Sequence, residues 1–305
     1  MVRMLMTINI SKGWKTWSEM AKGLEPQMNE AGAKMIWAGS NPDETAVYVL
    51  VEMDDPSMIK TFGERPDIAA IREKAGADVA LSYQNDNLMK RVGPLAATIN
   101  SKICMLADVQ DPKSLDRLYE KITQTWGRLD FLVHALAYSD KEELTGRFVN
   151  STRDNFLNSM DISCYSFVNL AKRSIPLMTN GGSLLTVTYM GGKRVTPNYN
   201  VMGPAKAALE SSVRYLANDL GPEGIRVNAI SPGPMKTLAG AAIGGARQVF
   251  RNTEKNSPLR RNADLDAVGN AALFLLSENS GSTTGEIIYV DGGYHVMGLP
   301  QLENL

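Results

Sequence analysis

Apolar and polar positions along the 305-residue chain change rhythm once, near residue 76. Upstream, Met4 to Ile10 is a short apolar run of the strand type. Between Trp14 and Ala31, the residues Trp14, Trp17, Met20, Ala21, Leu24 and Met28 recur near i, i+3, i+4, i+7, which predicts a helix. Lys34 to Ala38 and Thr45 to Met53 read as two more strands, parted by the turn-rich Gly39-Ser40-Asn41-Pro42-Asp43. Asp55-Pro56 then opens a short helix with proline in its first turn. The order β-α-β-β-α predicts a small α+β module over residues 1–75, ferredoxin-like or of the dimeric α/β-barrel kind.

From residue 76 strands and helices alternate. Strands are predicted at Ala77–Tyr83, Lys102–Ala107, Phe131–Ala137, Ser183–Tyr189, Arg226–Ile230 and Glu286–Val290. Helices are predicted at Asn87–Ile99, Pro112–Trp126, Asn155–Met178, Ala205–Leu220 and near Leu265–Ser277. Short apolar strands separated by longer helices argue for a parallel, doubly wound α/β sheet covered on both faces, over residues 76–305.

Composition narrows the function classes. Apolar residues make up 44% of the chain, charged residues 21%, and the net charge is −1. That balance creates no field drawing the chain to nucleic acid or an anionic membrane. No apolar run reaches the ~20 residues that span a bilayer, and the N-terminus lacks a small-residue cleavage site. Cys104 and Cys164 are isolated thiols, which points to a reducing, cytoplasmic compartment. His134 and His295 have no cysteine or histidine at metal spacing, so no metal site is expected.

Ligands of open parallel sheets bind beyond the carboxyl ends of the strands. The residues there are Gln84, Asp108-Val109, Ala135-Leu136-Ala137, Thr188-Tyr189 and Pro232-Gly233-Pro234-Met235. Asp108 could accept hydrogen bonds from an adenine or ribose edge, or could simply serve the turn before the helix at Pro112. In Tyr199-Asn-Val-Met-Gly-Pro-Ala-Lys206 the spacing is about two helical turns, which in a helix puts both side chains on one face. An ammonium beside a phenol lowers the phenol pKa and strengthens it as a donor to a developing oxyanion. The same pair could be a surface Tyr and a solvated Lys. Tyr189-Met-Gly-Gly-Lys193 offers a rival Tyr-x3-Lys spacing, but Gly191-Gly192 directly after a strand argues against a helix there.

Several blocks together resemble the NADH-dependent enoyl-acyl-carrier-protein reductases of the short-chain dehydrogenase/reductase superfamily. They include SYQND at 82–86, LDFLVHALAYSDKEEL at 129–144, GGSLLTVTYMGGKRVTPNYNVMGPAKAALE at 181–210 and VRYLANDLGPEGIRVNAISPGPMKTLAG at 213–240. Tyr-x6-Lys, rather than Tyr-x3-Lys, separates these reductases from ketoreductases. The resemblance implies a Rossmann-like fold, NADH as cofactor, a trans-2-enoyl chain on acyl carrier protein as substrate, and a homotetramer. It implies that Tyr199 stabilises the enolate, that Lys206 holds the nicotinamide ribose, and that Tyr189 lines the acyl pocket. Gln84, Asp108 and Val109 would meet the adenosine, and Leu136 would lie along the cofactor. Met235, Lys236, Thr237, Leu238 and Ala239 would contact the carboxamide and pyrophosphate. Ser139 would line the substrate site, and Leu238 to Phe250 would form a lid.

The chain departs from this family at its start. The family's first strand, Gly-rich turn and helix N-terminus hold the pyrophosphate. Here the glycines upstream are isolated, at Gly13, Gly23, Gly32, Gly39 and Gly63. The expected fold is therefore a doubly wound sheet missing its first βα unit, with 1–75 either a separate fused domain or the donor of a strand, Met4–Ile10 or Thr45–Met53, to the larger sheet. The expected activity is enoyl reduction; the alternative is a catalytically impaired, reductase-like binding or oligomer subunit.

Overall fold

A computed structural model describes residues 2–9, 13–30, 33–41, 44, 46–53, 77–235, 237 and 244–304. The chain divides into two compact units, Met1–Val79 and Ala80–Leu305.

The first unit holds β1 (Val2–Asn9), α1 (Gly13–Glu30), β2 (Ala33–Ser40) and β3 (Ala46–Met53). The three strands form one antiparallel sheet in the order β1-β3-β2. Trp17 and Ala21, one turn apart on α1, bury against Val47 and Val49, which alternate along β3 so that both reach the same face. The register shifts between Met35 and Trp37, and both Ile36 and Trp37 stand exposed. β1 and β3 pair along their full lengths inside this sheet, so neither is donated to the larger one. The helix expected from Asp55-Pro56 lies outside the described residues.

The second unit begins with β4 (Leu81–Tyr83), α2 (Asp86–Thr98), β5 (Cys104–Leu106) and α3 (Pro112–Trp126). There follow β6 (Phe131–His134), α4 (Arg153–Met160), a π-helical turn (Asp161–Tyr165) and α5 (Ser166–Ser174). The unit ends with β7 (Gly182–Val187), α6 (Met202–Leu220), β8 (Ile225–Pro232), α7 (Ala246–Asn256), α8 (Leu265–Leu276) and β9 (Ile287–Val290). Local chemistry sets the helix ends. Asp111 accepts from the Lys113 N–H, Pro112 occupies the first turn, and Gly127 closes α3 at φ 69°. Asn85, Thr152 and Asp264 cap α2, α4 and α8 in the same way.

All pairings here are parallel, but in two pieces: β4-β5, and β6-β7-β8-β9. Among the described residues no strand pairs β4 to β6. The larger piece is covered on both faces because neighbours on a strand point opposite ways. Leu184, Val227 and Ala229 bury with Phe167, Leu209 and Val213 on one face; Leu185 and Ile230 bury with Leu275 on the other. Each such fully buried leucine contributes about 1.5–3 kcal/mol. α3 joins the smaller piece to the rest: Leu115, Leu118, Tyr119 and Ile122 pack with Ile103 and Leu170, and Tyr119 donates to Leu170 O at 3.0 Å.

The single helix expected over Asn155–Met178 starts at Arg153, passes through the π-helical turn and finishes in a short 3-10 turn at Ile175–Leu177. The extra residue per turn in the π segment lets Ser163 and Ser166 both face the end of β6. Ser163 Oγ accepts from the Tyr138 N–H at 2.9 Å, and Ser166 Oγ lies 2.8 Å from His134 Nε2.

Candidate functional site

The carboxyl ends of β4 and β5 bring two of the expected residues together. Gln84 Nε2 donates to Asp108 Oδ2 at 3.4 Å. Asp108 Oδ1 also accepts from the Gln110 N–H at 3.0 Å, so the aspartate serves its own turn, while the helix cap proper is Asp111. Val109 is half-buried beside it.

Beyond β6 the chain passes the half-buried Leu136 and reaches Ser139. Ser139 Oγ donates to Asn155 Oδ1 at 3.3 Å, and that oxygen also accepts from Asp140 N–H at 2.8 Å. Asn155 Nδ2 donates onward to Glu143 Oε2 at 3.0 Å. Thr152 gives Glu143 both its N–H (2.9 Å) and its hydroxyl (2.7 Å). These donors, Thr152 first, hold the Glu143 carboxyl below its ordinary range. The loop from 139 to 152 is thus braced by side chains that the sequence did not single out.

The two tyrosines converge. The Tyr189 and Tyr199 rings meet edge to face, centroids 5.1 Å apart. Tyr199 is buried, and Gly191 makes room for it: a Cβ there would lie 2.5 Å from Tyr199 Cδ1. Tyr199 precedes the helix rather than joining it. α6 starts at Met202, and Asn198 (φ 57°) and Asn200 (φ 32°) turn the backbone left-handed on either side of the phenol. The expectation that Tyr199 and Lys206 share a helix face is corrected accordingly. The expected lowering of the phenol pKa is corrected too. Burial pushes Tyr199 upward, helped by Tyr189 and Glu210, so it is a firmly neutral donor. Burial likewise pushes Tyr189 up to about 12.

Lys206 is 5% exposed, and its Nζ donates to Val187 O at 2.8 Å. Burial brings its pKa down to about 8, opposed by Cys164 and Glu210. Lys193 of the rival spacing is exposed, in a loop after a three-residue 3-10 turn, with Nζ 5.4 Å from the Tyr289 ring centroid.

After β8, Met235 is half-buried and accepts from the Thr237 N–H at 2.9 Å. Lys236, Leu238 and Ala239 lie outside the described residues, as does the expected lid up to residue 243. Its described end, Gly244, is tied to the tyrosine turn through Asn198 Nδ2, which donates to Gly244 O at 2.8 Å.

Two buried polar residues, His134 and Glu210, were given no role by the sequence reading. His134 sits 2.7 Å from Thr186 Oγ1 through Nδ1, and burial, with the nearby Lys206 charge, depresses its pKa to about 3. Glu210 accepts from Thr188 Oγ1 at 2.8 Å. Only their place within strand-end and helix patterns was visible beforehand.

Residues 66–295 match the family described as Enoyl-(Acyl carrier protein) reductase. The enoyl-[acyl-carrier-protein] reductase [NADH] 2 of Rhizobium meliloti is 55% identical over 230 residues, which span 75% of this chain and 86% of that protein. The enoyl-[acyl-carrier-protein] reductase [NADH] FabI of Rickettsia conorii is 50% identical over 77% of this chain and 90% of its own length. Among solved structures, the Anaplasma phagocytophilum reductase in complex with NAD superposes with TM-score 0.72 at 52% identity, covering 75% of this chain and 88% of that one.

Proposed function

The chain belongs to the enoyl-(acyl carrier protein) reductase family, and from that premise we propose that it reduces the trans-2 double bond of enoyl thioesters carried on acyl carrier protein, using NADH. The observation that carries this reading is the convergence of Tyr189 and Tyr199, 5.1 Å between rings, in the unit that also buries Lys206.

The residues present suit a dinucleotide. Lys206 has three N–H donors and spends one on Val187 O, which leaves two for ribose hydroxyls. Gln84 and Asp108 offer an amide and a carboxylate side by side, with the apolar Val109 next to them, a set suited to an adenosine. When bound, NADH supplies the hydride that reaches the β-carbon. Tyr199 donates its phenolic hydrogen to the thioester oxygen and stabilises the enolate charge that grows there. Because burial keeps the phenol neutral, the proton is in place at pH 7. Lys206, charged below about pH 8, adds positive charge and orients the ribose. Tyr189 packs against Tyr199 and walls the acyl side. Leu136, Ser139, Met235 and Thr237 add to the cofactor and substrate surfaces.

We also infer two domains, 1–75 and 76–305, a cytoplasmic location, and a homo-oligomer of tetrameric order. Leu265, Leu273 and Phe274 on α8, and Tyr165 and Tyr215 elsewhere, are large apolar side chains left exposed in the single chain, which supports self-association. Among the described residues no helix is long and apolar enough to cross a membrane.

The test is an NADH titration of the full chain by protein-to-nicotinamide fluorescence transfer, with crotonyl thioester turnover in the same sample. Saturable binding, with turnover that Tyr199→Phe removes and binding that it spares, is the expected result. A folded chain that binds no NADH would favour the second reading, a reductase-like subunit, for which the isolated glycines upstream of residue 76 speak.

A further inference from the structure

α6 carries a second buried charged side chain one turn beyond Lys206. Glu210 is 3% exposed. No ion pair within 4 Å joins the two among the described residues. They grip adjacent residues of one strand end instead. Lys206 Nζ donates to Val187 O, and Thr188 Oγ1 donates to Glu210 Oε1, both at 2.8 Å. The next residue is Tyr189. The turn that follows lies over the carboxylate, since a Cβ on Gly192 would fall 3.0 Å from Glu210 Oε1.

We infer that Glu210 is a positioning residue of the reductase site: its carboxylate, held by Thr188, is the fixed counter-charge that keeps Lys206 an ammonium and fastens the Val187–Tyr189 strand end to α6. This rests on the function proposed above. A buried ammonium without a nearby anion loses its proton readily. The other groups facing Lys206 supply no such anion at neutral pH. Cys164, from the π-helical turn, is pushed up by burial and stays a thiol; His134, from β6, stays neutral. Glu210, which acts against the loss of the Lys206 proton, is the acidic side chain that remains.

The test follows the side-chain titration of Lys206 by NMR in the full chain labelled with 13C-lysine, assigned by its absence in Lys206→Met. Glu210→Gln keeps the shape and removes the charge, and is expected to move the Lys206 midpoint acidward by roughly one pH unit. Thr188→Val, which takes the donor from the carboxylate, is expected to move it the same way, and Thr188→Ser to leave it in place. Circular dichroism at each pH verifies the fold. An unmoved midpoint in folded Glu210→Gln overturns the inference. Should that variant not fold, equal midpoints in Thr188→Val and Thr188→Ser overturn it. Turnover is measured separately. A chain that fails to reduce crotonyl thioester while the midpoint still moves refutes the reductase reading and leaves the charge pairing standing; turnover with a fixed midpoint refutes the pairing alone.

Discussion

Single side chains decide the chemistry. Lys206 titrates near 8, below its ordinary 10.5, because it is buried, so the ammonium is lost as pH rises past 8. The expected pH profile of kcat/KM is flat below that value and falls about tenfold per unit above it, on one proton. A profile still flat at pH 10 would contradict a working ammonium. Gly191 gives a steric test. Gly191→Ala places a methyl 2.5 Å from the Tyr199 ring, and the ring has to move. We expect at least a tenfold loss of turnover, with urea unfolding showing a cost of about 1–3 kcal/mol from overpacking. Tyr199 and Lys206 were legible in the sequence because their spacing is a family signature. Glu210 and His134 were not, since a glutamate in a helix and a histidine in a strand look alike whether solvated or buried. The phenol's environment was misjudged for the same reason: spacing suggested a neighbouring ammonium, and burial outweighed it.

Elements show where local chemistry suffices. The helix at Pro112–Trp126 was readable to the residue because cap, first-turn proline and closing glycine all lie within its own segment. The π-helical turn at Asp161–Tyr165 left no such mark, because it is fixed by what Ser163 and Ser166 reach on β6 and the loop after it. Asn155, at the start of α4, ties Ser139, Asp140 and Glu143 of the neighbouring loop and Ser159 of its own helix, so Asn155→Ala is expected to cost about 1–3 kcal/mol in urea unfolding. The Glu143 tie has a sign in pH. Its carboxyl is held below the usual range, so its bonds to Thr152 and Asn155 are complete above that range and released as pH falls through the depressed value. Hydrogen exchange across residues 139–152 should quicken at acid pH in the native chain. Thr152→Val, lacking the strongest donor, should show the quickening at higher pH.

At the scale of the molecule, His134 ties stability to pH. It is neutral when folded, with a pKa near 3 against 6.5 ordinarily. The unfolded chain takes up the proton first, so stability is complete above pH 6.5 and declines toward pH 3 at up to about 1.4 kcal/mol per unit. Thermal melts from pH 7.5 to 4 should show this slope, and His134→Gln should flatten it. Self-association is checked by sedimentation velocity: Leu273→Glu with Phe274→Glu is expected to lower the assembled mass without loss of helix signal. The doubly wound sheet was legible because strands buried on both faces must be apolar throughout. The missing first βα unit was expected from the abrupt start of the resemblance. The division of the strands into two pieces is a finding of the structure, as is the fate of β1 and β3, settled by their pairing with each other, which no local pattern encodes.

The left-handed turn at Asn198 and Asn200 frees the phenol from the phase of α6. Where tyrosine and lysine ride one helix, adding or removing a residue between them swings the pair apart by about 100°. Here a residue gained or lost in the stretch before Met202 shifts the height of the phenol and leaves the lysine where it stands. Length variation in this loop is thus a route to new substrate geometries that point substitution cannot supply.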